Sequence, residues 1–478
     1  MQFLNRLLAF IVLSTGCSLQ PSDQPAKPPN IIFILTDDQR WDALGYAGNT
    51  ILETPAMDRL ATEGTYFKKA FVTTPICAAS RASILTGLHE RTHGYTFQQG
   101  DLKAPYMRIS YPVKLREGGY YTGFFGKFGV NYNDAENLFD VAEIYDRNNQ
   151  EPNRKGYFYK TIGDETVHLT RYTGHQAQEF IRQAPRDRPF CLSLSFSAPH
   201  AHDSAPEQYI WQEKSNQRYE QVTIPPPPLS EARHFEVLPR EVREGFNRTR
   251  WFWRFDTPEK YQHSVKGYYR MISEIDDELA SIRELLSSMG LADNTVIILM
   301  GDNGYYLGER QLAGKWLMHD NSLRVPLILF DPRAGIHHDV EALVLNLDVP
   351  QTILHLAGIE TPPEYQGQSL VPYVRNRNHP SARTEILVEH LWDFPEIPSS
   401  EGIRTARWKY FRYRLIEAPE ELYDLETDSA ETVNLAMKPE HQPLVKQLRR
   451  ELDARIRSYT DAAFAPGGPD RATEARSF

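Results

Sequence analysis

Two runs along the chain are apolar at every position and then stop at paired polar side chains. Ile31-Ile32-Phe33-Ile34-Leu35 leads through Thr36 to Asp37 and Asp38, and Val296-Ile297-Ile298-Leu299-Met300 leads through Gly301 to Asp302 and Asn303. Uninterrupted apolar runs predict central strands of a parallel sheet, covered on both faces, with ligands expected beyond their carboxyl ends. Phe190–Phe196 and Tyr120–Phe125 predict two further strands. The first leads to Ala198-Pro199-His200-Ala201-His202 and the second ends in Gly126-Lys127-Phe128-Gly129.

Helical spacing alternates with these strands. Thr54 caps a predicted helix with Pro55 at its first position. Others are expected over Val113–Glu117, near Gly174–Gln183 and over Asp348–Gly358. The longest spans Lys260–Met289, where Tyr268, Ile272, Ile275, Leu279, Ile282 and Leu286 mark a buried face and Gly290 ends it. Residues Asp134 to Arg171 show no clean period and predict loops at a pocket rim. Beyond Gly358, strands are expected at Glu385–Glu389, Gly402–Thr405 and Trp408–Tyr413, then a helix from about Pro443 to Tyr459. The expected fold class is α/β, with a large mixed, mostly parallel central sheet and a smaller C-terminal antiparallel sheet.

The ends of the chain read differently. Met1–Gly16 carries Arg6, an apolar run Leu7–Leu13 and small residues before Cys17, which predicts a signal peptide over residues 1–16. Leu13-Ser14-Thr15-Gly16-Cys17 looks like a bacterial lipoprotein box with its leucine one place too far away. Two outcomes stay open, a lipid anchor at Cys17 or ordinary cleavage that leaves Cys17 free. Either way the protein is expected to be secreted across the inner membrane, as a periplasmic protein or an outer-membrane lipoprotein. Residues 17–29 read as a polar, proline-rich tether and 463–478 as a disordered tail.

Composition narrows the class. The 478 residues are 41% hydrophobic and 24% charged, an ordinary globular balance. A net charge of −10 argues against a nucleic-acid partner, and any anionic substrate must be drawn in by a local basic pocket. The only cysteines are Cys17, Cys77 and Cys191, so no disulfide framework exists, and Cys191 in its apolar strand reads as core filler. Adjacent ionised carboxylates repel, so Asp37, Asp38, Asp302 and Asn303 together suggest a site for Ca²⁺ or Mg²⁺.

The remaining chemistry concentrates in Thr73-Thr74-Pro75-Ile76-Cys77-Ala78-Ala79-Ser80-Arg81-Ala82-Ser83-Ile84-Leu85-Thr86-Gly87. A cysteine stands four residues before an arginine where extended chain gives way to a helix, with Ser80 or a small neighbour as the expected cap. Helix N–H groups and a guanidinium beside a cysteine suit a nucleophile that works on an oxyanion, although a small core cysteine would carry the same spacing. The tail Ser83-Ile84-Leu85-Thr86-Gly87 extends the match, and the whole stretch resembles the signature of the type I sulfatases. Further blocks are similar to that family in order: the Asp37-Asp38 strand, Gly126-Lys127, Pro199-His200, Gly301-Asp302-Asn303-Gly304, Leu307-Gly308-Glu309 with Gly314-Lys315, and Glu421-Leu422-Tyr423-Asp424.

The resemblance implies an alkaline-phosphatase-like fold, with a catalytic domain over 30–375 and a C-terminal subdomain over 376–462. It implies that a maturase converts Cys77 to formylglycine (3-oxoalanine), whose hydrate attacks a sulfate ester in line. Asp37, Asp38, Asp302, Asn303 and residue 77 would ligate the metal ion, and Arg81, Lys127 and Lys315 would spread the charge of the sulfuryl group. Asp302 would act as base, His200 would protonate the leaving alcohol, and a second hydroxyl would then lose its proton to release sulfate. Two positions depart from the family. Gly129 stands where a histidine usually serves that last proton transfer, leaving His93 and His89 as candidates, and Ala79 replaces the commoner proline, which leaves the type of maturase open. The aromatic segments Trp251–Phe255 and His390–Phe394, with secretion, point to a sulfated oligosaccharide as substrate. Two alternatives are a phosphate or phosphonate ester hydrolase of the same superfamily and a non-catalytic glycan-binding lipoprotein with Cys77 unmodified.

Overall fold

The computed structural model describes residues 27–97, 100–145, 155–203 and 205–462. The predicted signal peptide, Cys17 and the predicted tail lie outside them. Eight strands form the central sheet: β1 (Asn30–Thr36), β2 (Thr65–Phe71), β3 (Tyr121–Gly126), β4 (Val141–Ile144), β5 (Phe190–Ser195), β6 (Thr295–Gly301), β7 (Leu327–Phe330) and β8 (His338–Leu345). Their spatial order is β8-β2-β7-β6-β1-β5-β3-β4. Only β7 runs antiparallel to its neighbours β2 and β6, so the sheet is mixed and mostly parallel, as expected.

The apolar runs explain the layering. Side chains alternate across a strand, so Ile31, Phe33 and Leu35 enter one core while Ile32 and Ile34 enter the other. β6 repeats this, with Val296, Ile298 and Met300 on the first side and Ile297 and Leu299 on the second. The helix Pro258–Ser288 closes the second face with Tyr268, Ile272, Ile275, Leu279, Ile282 and Leu286, all buried. The helices Cys77–Thr86 and Asp348–Ala357 help to close the first through Ala78, Ala82, Leu85, Ile353 and Leu354. Each fully buried large aliphatic side chain contributes about 1.5–3 kcal/mol, so the two faces together hold the strand ends rigidly in register.

Four strands, β9 (Glu385–His390), β10 (Ser400–Thr405), β11 (Trp408–Tyr413) and β12 (Glu421–Asp424), make the antiparallel C-terminal sheet. The helix Gln442–Asp461 covers it through Val445, Leu448 and Leu452. Among the described residues no helix is long and apolar enough to cross a membrane.

Two local expectations are corrected. Thr54 stands at the N-cap with Pro55 first in the helix, as expected, but its side chain makes no capping bond: its hydroxyl accepts the Gly45 N–H, and Asp276 of the long helix accepts the Ala56 and Met57 N–H groups instead (2.9 and 2.7 Å). The stretch expected to be loops contains β4 and a hairpin, Tyr159–Ile162 with Glu165–His168. Its strands have only four residues each, too short for a period to stand out.

Candidate active site

The β1–β6 register pairs Leu35 with Met300 and Thr36 with Gly301, so the next residues, Asp37 and Asp302, leave the sheet side by side. Asp38 adopts a left-handed backbone (φ 70°), a conformation costly for a residue with a Cβ. Two buried bonds hold it there: its N–H donates to Asp302 Oδ1 (3.1 Å) and its carbonyl accepts the Tyr268 hydroxyl (2.8 Å). Lys127 follows β3, and His200 lies just past the end of β5. Lys315 follows a two-residue strand, Ala313–Gly314. Cys77 is the first residue of its helix. Ser80 does not cap that helix, because it lies within it, its N–H already bonding the Ile76 carbonyl (2.9 Å) and its hydroxyl accepting a bond from Asn346 Nδ2 (3.0 Å); Ile76 is the capping residue and has no polar side chain.

Every sequence-predicted site residue is buried here. Arg81 Nε donates to Asp302 Oδ2 (2.8 Å), and its Nη1 donates to the Lys127 carbonyl (2.7 Å). Lys127 Nζ bonds Asp37, and Lys315 Nζ bonds Asp38 while lying 3.9 Å from Asp37 Oδ1. His200 Nε2 is 3.6 Å from Asp38 Oδ2, with Nδ1 against the Ala201 carbonyl. Burial alone would raise the Asp37 carboxyl, but Lys127, then His200, Lys315 and Arg81, hold it well below the usual range. Asp302 is pushed up to about 6, first by burial and then by Asp37. Lys315 stays above its ordinary value against the pull of burial, chiefly through Asp38 and then Cys77.

The donor set fits a hard cation. Asp38 Oδ2 and Asn303 Oδ1 are buried without a hydrogen-bond partner, and an orphaned buried oxygen of this kind is costly unless a ligand satisfies it. The ligand atoms of Asp37, Asp38 and His200 lie within 4.8 Å of one another, while Asp302 accepts from Arg81 at Oδ2 and from the Asp38 N–H at Oδ1.

Above this floor opens a cavity of about 700 Å³, lined by Cys77, Lys127, His200 and Lys315. Its upper wall includes Phe97, Phe246, Trp316 and Trp392, with Asp101, Asn131, Asp203 and Arg250 among them. Of the two aromatic segments expected at the rim, His390–Phe394 contributes Trp392, whereas Trp251–Phe255 lies off the cavity and its helix contributes Phe246. Asp203, Arg250 and Trp316 were not anticipated. One signal was available: Arg250 and Arg254 are four apart and therefore share a helix face.

Neither histidine proposed to replace the one missing at Gly129 lines the cavity. His93 is buried, 3.1 Å from Ser83 Oγ and accepting the Tyr95 N–H; His89 stacks on Tyr459. Burial lowers both to about 3, so they stay neutral. Gly129 itself is required where it stands. Its φ is 72°, and a Cβ there would come within 2.6 Å of Arg81 Cδ.

The sulfatase family model matches residues 29–359. The chain belongs to the sulfatase family. It is thereby a sulfuric ester hydrolase, from a family that generally uses a formylglycine and a divalent metal. A second model, described as N-sulphoglucosamine sulphohydrolase, C-terminal, matches residues 308–458. An N-acetylglucosamine-6-O-sulfatase of Bacteroides thetaiotaomicron is 25% identical, over 95% of this chain and 91% of its own. An arylsulfatase of Clostridium perfringens is 28% identical, over 91% and 96%. A protein solved in complex with its substrate D-glucosamine-2-N,6-O-disulfate superposes with a TM-score of 0.77 at 24% identity, over 91% of this sulfatase and 99% of that chain. The alkaline-phosphatase-like sulfatase fold expected from the motifs is the fold observed.

Proposed function

We propose that this sulfatase hydrolyses a sulfate ester on a saccharide, using a formylglycine made from Cys77 by a maturase and a divalent ion, Ca²⁺ in preference to Mg²⁺. The observation that carries the proposal is convergence: Lys127, His200 and Lys315 come from separate strand ends and line one cavity with Cys77. The saccharide is supported by the relatives, one named for N-acetylglucosamine-6-O-sulfate hydrolysis and one solved with a disulfated glucosamine. The aromatic wall agrees, since Trp392 and Phe97 offer flat apolar faces of the kind that sugar rings stack on.

When present, the ion supplies a hard Lewis acid and the formylglycine hydrate supplies a geminal-diol nucleophile. Asp37, Asp38, Asp302 and Asn303 would hold the ion. Lys127, Lys315 and Arg81 bind the sulfuryl oxygens and carry the charge that builds on them in a water-poor pocket. Asp302 would accept the proton of the attacking hydroxyl as general base. His200 donates its Nε2 proton to the departing alcohol, with Nδ1 fixed against the Ala201 carbonyl. We further propose secretion across the inner membrane, to the periplasm or to an outer-membrane lipid anchor at Cys17, and a catalytic domain (30–375) followed by a C-terminal subdomain (376–462).

Two measurements test this. The mass of the tryptic peptide Ala70–Arg81 from protein made in its native host should show the Cys77 thiol replaced by an aldehyde; an intact thiol would remove the nucleophile. Sulfate and phosphate esters of one leaving group should then be compared. Preference for phosphate would transfer the site to phosphoryl chemistry.

A further inference from the structure

Two guanidinium groups, one lining the cavity wall and one buried behind it, share one carboxylate. Arg250 Nη2 bonds Asp203 Oδ2 and Arg254 Nη2 bonds Asp203 Oδ1. Arg254 is fully buried, and its Nη1 donates to the Tyr305 hydroxyl (2.8 Å), so its charge is spent on Asp203 inside the protein. Asp203 stays ionised, because Arg250 and Arg254 outweigh its burial and hold its carboxyl far below the usual range. One negative charge therefore answers two positive ones, and the surplus falls on the residue that reaches the cavity, Arg250.

Among the described residues Arg250 has no second anion. It is 6% exposed, its Nε lacks a hydrogen-bond partner, and among the described residues its only ion pair is with Asp203. Asp101 shares the cavity lining without pairing to it. The guanidinium instead lies against aromatic rings, 4.4 Å from Trp316 and 4.9 Å from Phe246. Ring faces fix a cation's plane and attract it weakly, but they do not neutralise it. A nearly buried guanidinium in this state is costly unless a ligand brings the missing charge.

The surplus charge sits beside the chemistry. Asp203 is three residues past His200, and Arg250 packs on the segment that carries Lys315, since a Cβ on Gly314 would meet Arg250 Nη1 at 3.1 Å. The three cations of the floor, by contrast, are matched by Asp37, Asp38 and Asp302.

We propose that Arg250, oriented by Asp203 and Trp316, forms a second anion subsite, so that the preferred substrate carries another anionic group beside the sulfate ester that is cleaved. The group is a carboxylate or a second sulfate, either of which a planar guanidinium fork binds in two-point fashion. This rests on the saccharide reading above.

Binding can be scored without turnover, on the full chain with Cys77→Ser and Ca²⁺ present, by calorimetry. The probes are monosulfated N-acetylglucosamines, N,O-disulfated glucosamines, and sulfated disaccharides with or without a uronate. The disulfated or uronate series should bind about tenfold or more tightly than matched monosulfates, the gain expected of a charge-assisted bond in a buried site. Whichever series gains identifies the anion. Adding Arg250→Gln should cancel most of that gain while Arg250→Lys keeps part of it, and raising salt should erode it. Equal affinity for matched mono- and dianionic sugars in the Arg250-containing protein would overturn the subsite, even if the Arg250 variants fail to fold. An equal loss on both series in Arg250→Gln would also overturn it. Sulfate release by the mature enzyme is measured separately. Anion preference without sulfate release from any of these sugars retires the hydrolytic reading alone, and release without preference retires the subsite alone.

Discussion

On the cavity floor every cation has its anion: Arg81 faces Asp302, Lys127 faces Asp37 and Lys315 faces Asp38. On the wall, Arg250 shares the one carboxylate it has among the described residues with a second arginine, and aromatic rings lie against the rest of its guanidinium. The floor grows from strand ends held by the two cores. The wall is assembled from a helix, several connections and the β9–β10 turn that carries Trp392. A balanced floor suits chemistry common to all sulfate esters, whereas an unbalanced wall selects among the molecules that carry them.

Breaking the floor should produce the largest effect. Cys77→Ser leaves the packing nearly unchanged but lacks the second hydroxyl of an aldehyde hydrate. We expect kcat to fall by about 10⁴-fold or more, with Tm unchanged by thermal melt. Turnover close to that of the parent enzyme would mean that residue 77 does not attack sulfur.

Lys315→Met comes next. It removes a cation that carries transition-state charge, for a loss of about 10²- to 10³-fold in kcat, and it strands Asp38, which Lys315 bonds directly. Unpairing a buried charge costs about 3–5 kcal/mol, so Tm should also fall, and Ca²⁺ should restore more Tm in the variant than in the parent. A variant that loses activity with unaltered Tm, and no added response to Ca²⁺, would show that Asp38 and Lys315 are not partners in the enzyme.

This division also decides what was legible in the sequence. Asp37, Asp38, Asp302 and Asn303 were readable because apolar runs announce central strands, and strand ends are where ligands gather. Lys127, His200 and Lys315 were readable only through family motifs, since a lone lysine or histidine after a strand carries no pattern of its own. Asp203 and Arg250 were missed because their meaning lies in a shared partner between segments 47 residues apart. His93 was legible as a histidine near the signature but not as a buried one, because its contact with Ser83 depends on how the Cys77–Thr86 helix packs. Thr54 holds the N-cap position without a side-chain capping bond for the same reason: the acceptor that serves the helix, Asp276, is 220 residues away.

The wall should respond more mildly and more selectively. Trp392 stacks on Phe394 and tilts against Phe97, with centroids 4.6 and 5.5 Å apart. Trp392→Ala should raise KM for a sulfated saccharide by roughly 3- to 10-fold, the worth of one aromatic contact, and should affect a small aryl sulfate less. Equal losses on both substrates would move Trp392 from sugar contact to scaffold.

The smallest expected effect concerns a residue that ties floor to wall. Glu90 Oε2 accepts bonds from the Thr74 hydroxyl (3.1 Å), just before the signature, and from the Leu391 N–H (3.2 Å), just before Trp392. Burial, and then Glu389, push its carboxyl up to about 8, so the folded protein holds a proton there that the unfolded chain releases near pH 4.5. A carboxyl raised in the folded state contributes stability that is complete below the unfolded value and is lost as pH rises through the folded one. Stability should therefore decline between about pH 5 and pH 8 and level off above. Glu90→Gln keeps a neutral side chain with the same acceptor, so its melting curve should lack this component of the decline. The gap between the pH 6 and pH 9 melting temperatures should narrow by roughly 2 °C or more. Superimposable pH profiles for the two proteins would show that Glu90 is ionised throughout, with its charge met at the junction between the signature loop and the C-terminal sheet.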